Sequence, residues 1–351
     1  MTTAPFSTSD RGSRRNAATL ITGAGGEVGH GLIAALHAAG RRDLVGIDIR
    51  ELDRPQRERC RETFVGDVCD TTLIERLQSM FEITEIHQLA AILSTRAEFT
   101  PEAAHDVNVG GTINLLRLAA DQARSHGDLV KFLFPSSIAV HGFADTETKY
   151  AAGAVTEDEH TRPITMYGCN KLYCENLGRY YAHHYRQLAR DRLDHTLDFR
   201  CLRFPGLISA ETVPSGGTSD YGPEMIHAAA EGKPYVCFVR PDTRIPFMTM
   251  PEAIDALLKL AAAEADQLTR CVYNVRSFSA SAQEIAELVR EHFPGAKITF
   301  EPDPQRQQMV DSWPADVDDT AARNDWGWLP KHHLRSAFED YLVPSIKARY
   351  A

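Results

Sequence analysis

Between Thr19 and Asp48 the chain passes from a short apolar run into TGAGGEVG, then into a helical pattern, then into a second apolar run that ends on an acid. No other feature constrains the fold as strongly. Glycines at 23, 26 and 29 let backbone N–H groups come close to an anion at the start of a helix, where the helix dipole favours negative charge. The helix is read over Val28 to Ala39, because Leu32, Leu36 and Ala39 recur at helical spacing. Glycine-rich turns also arise for purely structural reasons. A strand before the triplet, a helix after it and an acid about twenty residues on turn it into a dinucleotide signal.

Asp48 bears on which dinucleotide. A carboxylate accepts from both ribose hydroxyls and repels a 2′-phosphate, which favours NAD. Arg50 offers such a phosphate a partner, so these residues alone leave NADP open. The expected cofactor contacts here are Gly23, Gly26, Glu27, Val28, Gly29, Asp48, Ile49 and Arg50.

The first half goes on alternating strand and helix patterns. Strands are read at Asp43 to Asp48, Phe64 to Gly66, Ile86 to Ala90, Lys131 to Pro135 and Phe199 to Arg203, with long helices over Pro101 to Ser125 and Met166 to Leu188. This predicts an α/β fold of the Rossmann type, a doubly wound parallel sheet with right-handed crossovers. After Pro205 the alternation weakens into a mixed α+β pattern, including a helix over Pro223 to Gly232 with proline in its first turn. A division follows: a flexible tail over 1–16, a nucleotide-binding domain over 17–205 with later segments returning to it, and a smaller substrate lobe over 206–351.

Composition removes several classes. A net charge of −10 argues against a nucleic-acid or anionic-membrane surface. No apolar run nears the ~20 residues that cross a bilayer. Arg14-Arg15 is followed by a strand pattern rather than an export signal's apolar region, so the expected location is cytoplasmic. The seven cysteines are scattered, with no CxxC pair. No HExxH occurs, and His183-His184 and His332-His333 are adjacent pairs that point apart on a helix, so neither disulfide framework nor metal is expected.

In MYGCNKLYCE, Tyr167 and Lys171 stand four apart, on one face of a helix. The preceding strand delivers Ser136-Ser137. Free tyrosine, with a pKa of ~10, is a poor base at neutral pH. An adjacent ammonium and a positive nicotinamide would favour phenolate, and a shift of about three units is worth roughly 4 kcal/mol. A YxxxK alone is a common accident. Joined to the dinucleotide signal, it points to acid–base chemistry on a hydroxyl or carbonyl.

With these motifs the chain resembles the extended short-chain dehydrogenases, a superfamily that includes nucleotide-sugar epimerases and dehydratases. The resemblance rests on TGAGGEVG, Asp48, GDV at Gly66 to Val68, LAA at Leu89 to Ala91, NVGGT from Asn108, SSIAVHG and YGCNK. It implies that Asp67 and Val68 flank the adenine, that Leu89, Ala90 and Ala91 line the cofactor, and that Asn108 supports the nearby backbone. Phe204, Pro205 and Ile208 join the expected cofactor set. His141 stands where the superfamily usually has tyrosine.

The second half, from FRCLRFPGLIS through RPDTRIPFM to the WPADVDDTAARNDWGW tail, resembles the L-threonine 3-dehydrogenases of that superfamily. The resemblance implies oxidation of the β-hydroxyl of L-threonine to 2-amino-3-oxobutanoate, with a hydride passing to NAD. It makes Tyr167 the base, Ser137 the residue that orients the hydroxyl, and Lys171 the group that holds the nicotinamide ribose and tunes the tyrosine. Ser94 and Gly217-Thr218-Ser219-Asp220 would close around the zwitterion, with Thr218 and Ser219 toward its carboxylate and Asp220 toward its ammonium. Arg244 is a second candidate for the carboxylate through its bidentate fork; a salt bridge inside the lobe is the alternative. The family commonly has two threonines before the aspartate, whereas this chain has Thr218-Ser219, which leaves room for a slightly larger 3-hydroxy acid. Related enzymes pair two helices per subunit, so a homodimer through 101–125 and 166–188 is expected, with Leu172, Leu177, Tyr180 and Tyr181 as surplus apolar surface. The rival readings are a nucleotide-sugar epimerase or dehydratase, whose glycine turn near RPDTRIPFM is missing, and a sensor that holds the dinucleotide without turnover, which would not need the Tyr-Lys pair.

Overall fold

The computed structural model describes residues 17–192, 197–213 and 217–350. The segment expected to be a flexible tail, 1–16, lies outside these, as does 214–216 at the end of the breaker-rich run. Numbered along the chain, the first strands are β1 (Ala17–Thr22), β2 (Leu44–Asp48), β3 (Glu62–Val65), β4 (Glu82–Gln88), β5 (Val130–Ser137) and β6 (Ala154–Val155). There follow β7 (Leu197–Phe204), β8 (Gly206–Ile208), β9 (Tyr235–Cys237), β10 (Arg244–Thr249), β11 (Val272–Asn274), β12 (Phe278–Ser281), β13 (Ile298–Phe300) and β14 (Asp316–Val317).

Seven strands form one sheet in the order β11-β7-β5-β4-β1-β2-β3, and every pairing in it is parallel. This is the doubly wound α/β sheet expected of the alternating pattern, with helices on both faces. Its central strands read as near-continuous apolar runs because both faces are covered; Leu20, Ile21, Ile86, Phe132 and Leu133 are all fully buried. The chain builds outward from β1 through β2 to β3, then crosses back to β4. The crevice at this reversal, outside the carboxyl ends of β1 and β4, is where such sheets bind ligands. The last strand of the sheet, β11, comes from well beyond Pro205 in sequence. The mixed sheet β12-β10-β8 packs beside it, with its own core around Tyr221, Phe247, Phe278 and Ile285.

Two helices differ from the pattern expected of the sequence. The stretch expected as one helix from Pro101 is broken into Pro101–His105, a π-helical turn Asp106–Gly110 and Gly111–His126. The turn has an identifiable cause. The Asn108 carbonyl accepts from Thr112 Oγ1 at 2.6 Å and Cys174 Sγ at 3.3 Å, while its amide side chain turns outward to another segment. Such side-chain bonds compete with the regular helical ladder. The helix carrying Tyr167 ends at His183, short of the expected Leu188, which is almost fully exposed. A further helix, Thr71–Met80, capped by the Asp70 carboxylate, is absent from the sequence-based expectation.

Candidate active site

The site is assembled at the carboxyl ends of β1, β4, β5 and β7. At the end of β1 the chain turns through Gly23, at φ +65°, into the helix Glu27–Ala38. A Cβ on Gly23 would stand 2.6 Å from the Ala90 nitrogen, so only glycine lets this turn lie against Leu89–Ala91 at the end of β4. A Cβ on Gly29 would meet the Gly23 carbonyl at 2.5 Å. Gly26 caps the helix without any side-chain bond, which leaves the first-turn N–H groups facing outward for an anion. Asp48 closes the far side: its Oδ2 accepts from Gly25 N at 2.9 Å and its Oδ1 from Arg50 N at 3.1 Å. The carboxylate is thus fixed beside the cradle, with Ile49 and Arg50 exposed next to it.

The remaining dinucleotide candidates form the rim and its supports. Val68 is buried, and Asp67 Oδ1 accepts from Cys69 N at 2.9 Å, which shapes the turn after β3. Asn108 holds Ile92 at both ends, accepting from its N–H at 2.7 Å and donating to its carbonyl at 3.0 Å. It thereby fixes the strand extension that contains Leu89, Ala90 and Ala91. Phe204, Pro205 and Ile208 are buried where β7 passes into β8. Glycines that a Cβ would fill, open helix N–H groups and a fixed acid together fit an NAD molecule. Among the described residues no cluster of three or more His, Cys, Asp and Glu is placed to hold a metal, and all seven cysteines are free.

Ser137, at the end of β5, lies within hydrogen-bond reach of the Tyr167 hydroxyl. Its Oγ also accepts from Ala139 N at 3.2 Å. Thr165 caps the tyrosine's helix by accepting from Gly168 N at 3.1 Å. Gly168 is needed there, because a Cβ would lie 2.1 Å from the Ala139 carbonyl. Burial holds the Tyr167 hydroxyl above the ordinary phenol range, opposed by the bond to Ser137. Lys171 does not reach that hydroxyl. Its ammonium donates to the Pro135 carbonyl at 2.7 Å and lies 5.5 Å from the centre of the Tyr167 ring. Burial lowers the Lys171 ammonium to about 8. The ammonium expected to draw the tyrosine down is therefore outweighed by desolvation in this arrangement.

Beneath the pair runs a buried polar network that the sequence reasoning missed. Ser136 Oγ donates to Glu175 Oε1 at 2.6 Å, and Arg203 reaches the same carboxylate with Nε at 2.9 Å and Nη2 at 2.7 Å. Arg203 Nη1 continues to the Glu157 carbonyl at 2.6 Å. Glu175 stands eight residues after Tyr167 on the same helix, and a charge at that inward position was the available signal. His141, where tyrosine is usual, is fully buried, binds the Glu159 carbonyl at 2.9 Å and is held neutral by burial, which pushes it down to about 3.

The small-substrate candidates converge in part. Thr218 Oγ1 donates to Ser94 Oγ at 2.9 Å and lies 3.3 Å from Thr95 Oγ1, joining the lobe to the helix Ser94–Phe99. Asp220 Oδ2 accepts from Gly217 N at 2.6 Å, and the Gly217 carbonyl accepts from Arg306 Nη2 at 3.2 Å. Ser219 packs near Gly206. Arg244 is not turned to this cluster: its fork goes to the Ser279 carbonyl at 2.9 Å and to Glu284 at 2.6 Å. That is the ion pair within the lobe, formed because Glu284 starts the neighbouring helix beside β10.

Residues 19–275, which contain this cradle and the Ser-Tyr-Lys group, match the NAD dependent epimerase/dehydratase family, and the chain belongs to that family. Its class is that of an NAD-dependent dehydrogenase of the extended short-chain type. The Bos taurus protein named mitochondrial L-threonine 3-dehydrogenase is 34% identical over 311 residues, covering 88% of this chain and 77% of the relative. An uncharacterized epimerase/dehydratase of Staphylococcus haemolyticus is 33% identical over 325 residues, 91% of this chain and 95% of its own. Among solved structures, a GalE-like L-threonine dehydrogenase from Cupriavidus necator in holo form superposes with TM-score 0.78 at 34% identity, covering 93% of this chain and 99% of that one. A monomeric L-threonine 3-dehydrogenase from a metagenome gives TM-score 0.82 at 34% identity over 95% of this chain and 100% of its own.

Proposed function

We propose that this enzyme oxidises the β-hydroxyl of L-threonine to 2-amino-3-oxobutanoate. The observation that carries the reading is the Ser137–Tyr167 hydroxyl pair, together with the Ser94–Thr218 hydroxyl pair at the helix Ser94–Phe99, which packs against the helix of Tyr167. A small zwitterion suits such a set of hydroxyls, and the relatives' names supply the particular amino acid. NAD supplies, when bound, a positively charged ring that accepts the hydride. Ser137 donates to or accepts from the substrate hydroxyl and holds it toward Tyr167. Tyr167 takes the hydroxyl proton as the carbon–hydrogen bond breaks. The ammonium of Lys171 is assigned to favour the phenolate electrostatically and to hold the nicotinamide ribose. Asp220 is the acceptor offered to the substrate ammonium, with Thr218 and Ser219 toward its carboxylate.

The test is NADH formation with L-threonine, L-allo-threonine, L-serine and UDP-glucose in parallel, each with NAD and with NADP. L-threonine with NAD should be fastest by a wide margin, because the fixed Asp48 carboxylate repels a 2′-phosphate. Conversion of UDP-glucose alone, read by chromatography of the sugar nucleotide because epimerisation and dehydration regenerate NAD, would make the enzyme a sugar-nucleotide enzyme. NADP equal to NAD would remove the role given to Asp48.

We further propose a homodimer in the cytoplasm. Among the described residues no helix is long and apolar enough to cross a membrane. On the catalytic helix Tyr173 and Tyr180 are 50% and 39% exposed, and Phe99, on a helix packed against it, is 81% exposed. Tyr181, expected on this face, is instead buried in the core, and Leu177 packs against it. Sedimentation at micromolar concentration should give a dimer, and charging the face by Tyr173→Glu should give a monomer. A wild-type monomer, the state of the metagenome relative, would overturn the proposal.

A further inference from the structure

A zwitterion brings two opposite charges into a site. Asp220 is offered to the substrate ammonium, but Thr218 and Ser219 give the carboxylate only neutral partners. Charge-assisted bonds are roughly twice as strong as neutral ones, and a carboxylate drawn from water without a cation is costly. Several arginines of the lobe are already taken up. Arg244 is paired with Glu284, Arg240 holds Asp311 with both terminal nitrogens at 2.8 and 3.0 Å, and Arg276 meets Asp316 at 2.7 Å. Arg306, on the helix Pro304–Asp311, differs. Its Nη2 donates to the Gly217 carbonyl at 3.2 Å, and the N–H of the same glycine is held by Asp220 at 2.6 Å. Its Nε is buried without an acceptor, and among the described residues it forms no ion pair. Its Cζ lies 3.2 Å from the centre of the Phe238 ring, so an aromatic face supports the charge. Phe238 meets Tyr221 edge-on at 6.0 Å between ring centres, and both belong to the apolar cluster against which Tyr167 packs. Glu224, on the helix Tyr221–Ala230, feels the guanidinium, but its carboxylate accepts from the Tyr235 hydroxyl at 2.6 Å.

We propose, resting on the L-threonine reading, that Arg306 is the specificity-determining residue for the substrate's α-carboxylate, binding the negative end of the amino acid beside Gly217 while Asp220 takes the positive end. A guanidinium carries several N–H donors in a rigid fork and no acceptor. One donor is used on Gly217, and the group is otherwise short of acceptors, which is rare for a buried donor in a folded chain. A carboxylate supplies them. The bond to Gly217 and the contact with Phe238 hold the guanidinium in place beforehand, so little side-chain freedom is lost when the substrate arrives. Gly217 thus joins the two charges that a zwitterion needs, one through its carbonyl and one through its N–H.

The experiment compares L-threonine with (R)-1-aminopropan-2-ol, which keeps the same carbinol and ammonium but lacks the carboxylate, in wild type and Arg306→Met with NAD. For L-threonine, kcat/KM should fall roughly 10- to 100-fold, as expected for a lost hydrogen bond to a charged group, and mainly through KM. For the amine, kcat/KM should be nearly unaffected. Where the amine turns over too slowly to follow, its Ki against L-threonine serves the same comparison. NADH affinity, read by fluorescence, should stay at the wild-type value and so report an intact cradle. Arg306→Lys, which keeps the charge but loses the fork, should lie between wild type and Arg306→Met, and it carries the test if methionine unfolds the lobe. The proposal is overturned if both compounds lose equally, because Arg306 would then only brace the Gly217–Asp220 loop. An unchanged KM for L-threonine in both variants also overturns it, and leaves the carboxylate to Thr218 and Ser219. A wild type that forms no NADH from L-threonine is a separate result, seen before any variant is made: it removes the substrate reading itself, and this assignment with it.

Discussion

Tyr167→Phe should lower kcat by about 10²–10⁴-fold, the usual contribution of a positioned general base, while NADH binding stays near wild type. The ring and its packing beside Ser137 remain, and only the proton acceptor is removed. Ser137→Ala should fall less, since it deletes one orienting hydrogen bond. Lys171→Ala should damage both kcat and cofactor affinity. The pH profile adds an independent check. Burial raises the tyrosine in the structure, so the ascending limb of kcat/KM will lie well below the ~10 of free tyrosine only if positive charge in the complex overcomes that desolvation. Lys171 sets the opposing limb. Its charge is present below about 8 and lost above it, so activity should fall on the alkaline side. Retention of more than about a tenth of wild-type kcat by Tyr167→Phe would place the base elsewhere.

Arg203→Met should cost about 3–5 kcal/mol of stability, because it strands the Glu175 carboxylate in the interior. Glu175 and Arg203 are 1% and 3% exposed, and Ser136, next to Ser137, hangs from the same carboxylate. The expected order is therefore unusual. The double variant Glu175→Gln/Arg203→Met should be more stable than Arg203→Met alone, since a paired removal leaves no buried charge. Urea unfolding of both variants checks this, and a single variant as stable as the double would mean that the pair is solvated.

The parts of this site legible in the sequence are those whose chemistry is local. Gly23, Gly26 and Gly29 are needed by one turn, Asp48 ends the next strand, and Tyr167 and Lys171 share a helix face by spacing alone. Contacts between distant segments were not legible. The Glu175–Arg203 pair joins residues 28 apart, and Arg244 finds Glu284 across 40; apolar periodicity reports which face is inside but not which charges meet there. The π-turn at Asp106–Gly110 was hidden for the same reason, since it depends on Cys174 from another helix. Spacing put Lys171 near Tyr167 correctly, yet its ammonium bonds Pro135, a choice set by tertiary packing.

L-threonine deuterated at C3 reports directly which bond breaks. Incubated with the enzyme and NAD, it should yield NADH that carries the deuterium, together with 2-amino-3-oxobutanoate or its decarboxylation product, aminoacetone. The label must travel this way if Tyr167 removes the hydroxyl proton while the hydride leaves the β-carbon. NADH formed without deuterium, or no NADH formed from L-threonine under conditions where the enzyme binds NAD, would contradict the account.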